Sequence, residues 1–200
     1  MNMRKLKPFT LPAAALFLLA MTALPAAPQQ QAENEQAAAA DTHQRATNTR
    51  PDSRYIHNLF KQIAVETAQL DRNAEELEGY QRSLAEWESH AVQLNLIREH
   101  VNEAGKLEQK LRAAREAGSA WQQDAIDRVY PLLKELADNL ESTISFLNAH
   151  QDRLMSNAYR DLVRQNAEMS HNLHKTIEES LDYAKNKGEL EALNREVGRQ

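Results

Sequence analysis

Residues 119–150 read SAWQQDAIDRVYPLLKELADNLESTISFLNAH. Apolar side chains fall at Ile126, Val129, Leu133, Leu136, Leu140, Ile144 and Leu147, every third or fourth position. That spacing lays one apolar stripe along an α-helix and is incompatible with the strict alternation of a half-buried strand. Ser119 and Gln122 open the stretch with capping-box spacing, in which the two side chains satisfy orphan N–H groups of the first turn. Pro131, a dozen residues in, removes one backbone hydrogen bond and crowds the carbonyl of Asp127, so a kink is expected there.

The same period extends in both directions. Upstream it runs through Ile56, Leu59, Phe60, Ile63, Leu70, Ala74 and Leu77, then Leu84, Trp87, Ala91, Leu94 and Val101. Downstream it continues at Ala158, Leu162, Met169, Leu173, Ile177 and Leu181. Between Asp52 and Lys187 the interruptions of note are Gly79, Gly105, Gly118 and Pro131, too few for an all-β or α/β chain. The fold class is therefore all-α. Pro51-Asp52-Ser53 has the residues of a helix start. Ser83 and Glu86 repeat the capping-box spacing after Gly79, and Ser156 is a third cap candidate after the thinning at His150-Gln151-Asp152-Arg153. Four helices follow, about Asp52–Gly79, Ser83–Ala117, Ser119–His150 and Ser156–Lys187, each ~45 Å long. Matched lengths and short joints suit an up-down-up-down four-helix bundle spanning 51–187. The rival arrangement joins the helices in pairs into a long antiparallel coiled-coil hairpin, dimerising to bury its seams. A lone hairpin buries little, which favours the bundle. Residues 188–200 form a polar tail that either frays or prolongs the last helix.

Ahead of the helices stand two segments of different character. Arg4, Lys5 and Lys7 precede an apolar run, Leu11 to Leu24, and small residues Ala23, Ala26 and Ala27 follow. This is the three-part pattern of a signal peptide over 1–26. The fit to a small-x-small cleavage site is imperfect, because Leu24 stands third from a cut after Ala26 and Pro28 disfavours a cut after Ala27. The alternative is a retained membrane anchor, but a spanning helix needs ~20 apolar residues, and Pro12 and Pro25 bracket a shorter run. The expected location is exported, periplasmic or secreted, with membrane attachment only if the leader is retained. Residues 27–50, with Gln29 to Gln31 and Ala37 to Ala40, contain no large apolar side chain and read as a low-complexity linker.

Charge and cysteine content narrow the chemistry. The leader holds 3 of the 24 Lys and Arg and none of the 29 Asp and Glu, so removing it leaves 21 basic against 29 acidic residues, net −8. An acidic chain is poorly suited to neutralising phosphates, which argues against nucleic-acid binding. Anionic lipids would repel it as well. With no cysteine there is no disulfide, thiolate metal site, c-type haem attachment, lipid-anchored lipoprotein or cysteine nucleophile.

The histidines are the candidates for metal chemistry. His171 and His174 share a helix face, and Glu168 three before His171 gives the Glu-x-x-His spacing of bundle di-iron sites. Those sites need the motif twice, and no second copy occurs. His100 falls off its helix's stripe, toward solvent. His90 flanks the stripe between Trp87 and Leu94, and a partly buried histidine bonded to a neighbour such as Glu86 is the simpler role for it than a ligand. Bundle cytochromes take a methionine and a histidine from different helices; here Met155 and Met169 both fall in the last quarter, and Met169 sits on the core stripe as filler. No cofactor is expected. Ser83, Ser119 and Ser156 are accounted for as caps, and there is no glycine-flanked serine elbow or phosphate loop. Paired carboxylates such as Glu75-Glu76 and Glu178-Glu179 read as ordinary solvated helix faces. The aromatic residues cluster near helix ends, where they plug the bundle. Trp87 and Trp121 are the candidate anchors for a protein partner, which includes a second copy of the chain. The expectation is a non-enzymatic bundle acting through protein–protein contact as scaffold, adaptor or chaperone-like binder, with a metal- or haem-binding bundle as the alternative.

Overall fold

The computed structural model describes residues 51–83 and 85–199. The leader and linker expected over 1–50, and the seam residue Leu84, lie outside the described residues. The described residues form four α-helices in order: α1 (Arg54–Ser83), α2 (Trp87–Ala114), α3 (Ala120–Ala149) and α4 (Asn157–Val197), with a short 3-10 turn at Arg115–Ala117 between α2 and α3. Among the described residues there is no strand. Each helix packs against its neighbours in sequence, and α4 closes the ring by packing on α1. The protein is an up-down-up-down four-helix bundle. The two-helix hairpin is excluded, because the chain breaks after Ser83 and again over 150–156, and α4 returns to α1.

The stripes on α1 and α3 bury as the period predicts, with Ile56 to Leu77 and Ile126 to Leu147 all in the core. On α2, Leu94 and Val101 are buried, while Trp87 and Ala91 are half-buried against the core. On α4 the later part of the stripe buries as expected, with Leu173 and Ile177 in the core and Met169 and Leu181 packed against it, but the phase differs over the first turns. Ala158 is exposed and Leu162 half-buried, while Tyr159, Val163, Asn166, Ala167 and Ser170 are buried. A shift of one residue rotates the buried face by ~100°. The reason lies in polar partners: Asn166 Nδ2 donates to Thr143 Oγ1 at 2.7 Å, and Thr143 Oγ1 donates to the Asn139 carbonyl at 2.8 Å. Asn139 Nδ2 in turn donates to the Leu162 carbonyl at 3.0 Å. A hydrogen-bonded ladder thus replaces apolar packing along part of the α3–α4 seam and satisfies its buried amide donors, while Asn166 Oδ1 is buried without a hydrogen-bond partner.

The helix boundaries also correct two expectations. Ser83 is the last residue of α1, not a cap; its hydroxyl donates back to the Tyr80 carbonyl at 3.3 Å. The N-cap of α2 is Glu86, in extended conformation and without a side-chain cap bond. Gly79 lies inside α1, and a Cβ added there would meet nothing within 4 Å, so neither close approach nor a turn requires it. Gly118 is different, for a Cβ there would stand 2.9 Å from Ile56 Cδ1 and 3.1 Å from Gln122 Cβ. Close approach of α1 to the α2–α3 turn demands glycine. At Ser156 the expected cap is made, its hydroxyl accepting from the Tyr159 N–H at 3.4 Å. Pro131 occupies an exposed position in α3, and the helix continues through it. Beyond Lys187, α4 runs on through Gly188 to Val197. Among the described residues, no helix is long and apolar enough to cross a membrane.

Candidate functional site

The start of α1 is clamped to the start of α3 by one buried amide. Gln122 Oε1 accepts from the Ser53 N–H at 2.8 Å and from the Ser119 N–H at 3.2 Å, while its Nε2 donates to the Ser53 carbonyl at 3.0 Å. The capping-box glutamine therefore serves the first turns of both α1 and α3. Beside it, Asp52 Oδ1 accepts from Trp121 Nε1 at 2.7 Å and from Lys187 Nζ at 2.8 Å. Burial alone would raise the Asp52 pKa, but Lys187, Ser119 and Trp121 outweigh it and hold the carboxyl below its ordinary value. The Trp121 indole, fixed by this bond, lies 5.4 Å from the Tyr183 ring. The two rings stand at one end of a surface groove between α3 and α4, about 360 Å³ in volume, lined also by Asp124, Arg128, Glu179 and Ser180. Tyr183 is 52% exposed.

At the opposite end, one ring from each helix joins a chain across the core. Tyr80 from α1 meets His90 from α2 edge-on at 5.8 Å, and His90 lies 5.5 Å from Tyr159 of α4. Tyr159 stacks at 5.5 Å on Phe146 of α3, which touches His150 at 4.9 Å. His90, expected at the boundary and bonded to Glu86, is fully buried and shares a 3.1 Å hydrogen bond with the Tyr159 hydroxyl. Burial lowers the His90 pKa and raises that of Tyr159, so both are held neutral. Trp87 is half-buried and packs against the core at this end.

His171 and His174 of α4 and His100 of α2 pair with separate residues spread along α1. His171 Nδ1 lies 3.5 Å from Asp71, His174 Nδ1 lies 3.3 Å from the Thr67 hydroxyl, and His100 Nδ1 lies 2.8 Å from Glu66. His100, expected to face solvent, is thus half-buried and paired across the α1–α2 seam. Glu168 is exposed and pairs with Arg164 at 3.8 Å rather than with His171. Glu168, His171, His174 and His90 do not converge. Among the described residues no group of three or more histidine, aspartate or glutamate side chains could hold a metal ion. Met155 is exposed in the α3–α4 turn and Met169 is half-buried against the core. Glu108 escaped the sequence reading. It is buried in α2 with Arg112 Nε at 2.7 Å, and burial raises its pKa against the pull of Arg112. The Arg112 guanidinium in turn covers the Tyr130 ring at 4.5 Å.

No protein-family model, curated protein or solved structure matches this chain.

Proposed function

We propose that this protein is an exported, non-enzymatic helical bundle that works by protein–protein contact, as a scaffold, adaptor or chaperone-like binder. The signal-peptide pattern of Met1–Ala26 supports export, and the α3–α4 groove beside Trp121 and Tyr183 is the contact surface. The observation that carries this reading is the aromatic pair itself. Tyr183 presents an exposed ring, and Trp121 behind it is immobilised by its bond to Asp52. A ring already held in place loses little conformational freedom on binding, and tryptophan and tyrosine dominate interface hot spots. Asp124 and Glu179 line the groove, with Arg128 3.2 Å from Asp124. That combination suits a partner segment carrying an apolar side chain flanked by lysine or arginine.

The test is affinity capture from the native envelope fraction with the wild-type chain and Tyr183→Ser side by side. The side chain is half in solvent, so the substitution spares the core. The proposal expects a partner retained by the wild type and lost with Tyr183→Ser. Identical capture by both chains, or none by either, would count against the groove.

A further inference from the structure

Helix α4 outruns the bundle. Lys187 is level with the start of α1, because its Nζ bonds Asp52 at 2.8 Å, yet the helix continues over Gly188–Val197, a further ~15 Å at 1.5 Å per residue. Every residue of this overhang is exposed. Exposed Asn186 opens a stripe that continues through Leu190 and Leu193, each 58% exposed, to Val197 at 73%. The steps are those of a coiled-coil seam, with Leu190 and Val197 at a positions and Asn186 and Leu193 at d positions. Leu173, Ile177 and Ser180 mark the side of α4 that faces the core. At 3.6 residues per turn the stripe lies about 140° round the helix from them, turned away from its own bundle. Most helix stability in a protein comes from packing of an apolar face, and the bundle supplies none here.

The residues along the stripe suit a second copy of the same helix. Valine at an a position with leucine at d favours two strands. The flanks decide their direction. One flank, the g positions, carries Asp182, Glu189 and Glu196; the other, the e positions, carries Lys187 and Asn194. An antiparallel pair sets acidic flank against acidic flank. A parallel pair sets Asp182 against Lys187 and Glu189 against Asn194 of the second copy. Lys187 already holds Asp52, so the separation of like charges and the Glu189–Asn194 contact weigh more than the Asp182–Lys187 pair. In parallel register the two Asn186 amides also meet across the axis, where they hydrogen-bond each other and disfavour slipped pairings. Toward the bundle the same face passes Tyr183 and then carries Glu179 and Lys175, an ion pair at 3.9 Å, so the seam ends near Asn186.

We propose that the α4 overhang is a self-association site, at which two copies of this chain join in parallel through Asn186, Leu190, Leu193 and Val197. Because the stripe faces away from the core, the two bundles lie side by side without overlap. Three large apolar side chains per copy fall short of the ~800 Å² per partner of a standard interface, so the dimer is weak and forms as concentration rises. Both helices are folded before they meet, which keeps the ordering cost low. The contact uses none of the residues that line the Trp121–Tyr183 groove and is independent of the partner proposed there.

The chain contains no cysteine, so an introduced one is unambiguous. In the full chain, Leu193→Cys is compared under mild oxidation with Arg195→Cys, at nearly the same height but off the stripe. The proposal expects disulfide-linked dimers that form about tenfold faster for Leu193→Cys. Equal rates would overturn it and leave the stripe to another segment of the chain or to a different protein. Leu190→Cys mixed with Leu193→Cys, linking to each other faster than Leu193→Cys links to itself, would show an antiparallel pair and overturn it as well. Sedimentation equilibrium reads the association without a cross-link, at concentrations up to about 1 mM. The wild type dimerises, Leu193→Gln weakens the dimer about tenfold, and Arg195→Gln leaves it unchanged. All three positions are exposed, so the bundle itself is spared. A wild type that stays monomeric throughout, or a dimer untouched by Leu193→Gln, contradicts the proposal.

Discussion

Replacing Gln122 by methionine tests how the bundle's leading end is held. The side chain is fully buried, and methionine keeps its length and nearly its volume, so packing survives while all three hydrogen bonds go. The groups left behind are the Ser53 N–H, the Ser53 carbonyl and the Ser119 N–H. Each bond is worth about 0.5–1.5 kcal/mol net, and an abandoned buried group costs more than the bond it lost. Ser53 is only half-buried, so water recovers part of the loss there. The expected destabilisation is about 2–3 kcal/mol, or a melting temperature lower by about 5–10 °C for a domain of this size. Urea and thermal unfolding of the full chain, followed by far-ultraviolet circular dichroism, measure it. Gln123→Met is the control, since Gln123 makes a single bond, to the Gly118 carbonyl at 3.1 Å, from a half-buried position. A Gln122→Met chain within about 0.5 kcal/mol of wild type, or no weaker than Gln123→Met, would refute the clamp.

Two further outcomes follow from the same geometry. The His90 pKa is lowered in the fold from its ordinary value of 6.5, so the unfolded chain takes up the proton first as pH falls. The stability it confers is complete above 6.5 and declines as pH drops below that value; His90→Gln, which cannot titrate there, shows a shallower fall in urea midpoint between pH 7 and pH 5. Glycine-to-alanine substitution has opposite signs at two sites. Gly118→Ala forces a methyl toward Ile56 and costs about 1–3 kcal/mol, whereas Gly79→Ala, in an open helix interior, stabilises by about 0.5–1 kcal/mol; denaturant melts of both variants decide.

The parts of the fold legible in the sequence were those where burial is apolar. On α1 and α3 the stripe consists mainly of leucine, isoleucine, valine and phenylalanine, so its period carries the phase even with Thr67, Asn139 and Thr143 buried beside it. On α4 the buried face includes Asn166, Ser170 and Ser180, which a hydrophobic pattern cannot distinguish from solvent positions, so Ala158 and Leu162 were misplaced at its start while Leu173 and Ile177 were read correctly. Ser83 and Glu86 have capping-box spacing by coincidence of composition, since Ser83 turns its hydroxyl back into α1. Trp121 was a candidate from residue type alone. Its partner Tyr183 and its anchor Asp52 come from distant segments that only the closed bundle brings together. The burial of His90 depends likewise on how the helix ends align, for its ring neighbours Tyr80 and Tyr159 come from two other helices.

The aromatic groove, the ring chain and the overhang all depend on α4 returning to the start of α1 within one chain. A zero-length carbodiimide cross-linker joins a carboxylate to an amine only when they are in contact, and Asp52 and Lys187 meet at 2.8 Å. Cross-linking the purified full chain, separating monomer from dimer and sequencing the joined peptides by mass spectrometry is the most direct test. The expected result is an Asp52–Lys187 link in the monomer. Its absence there, or its appearance solely in dimers, would contradict the closed bundle and restore a hairpin completed by a second chain.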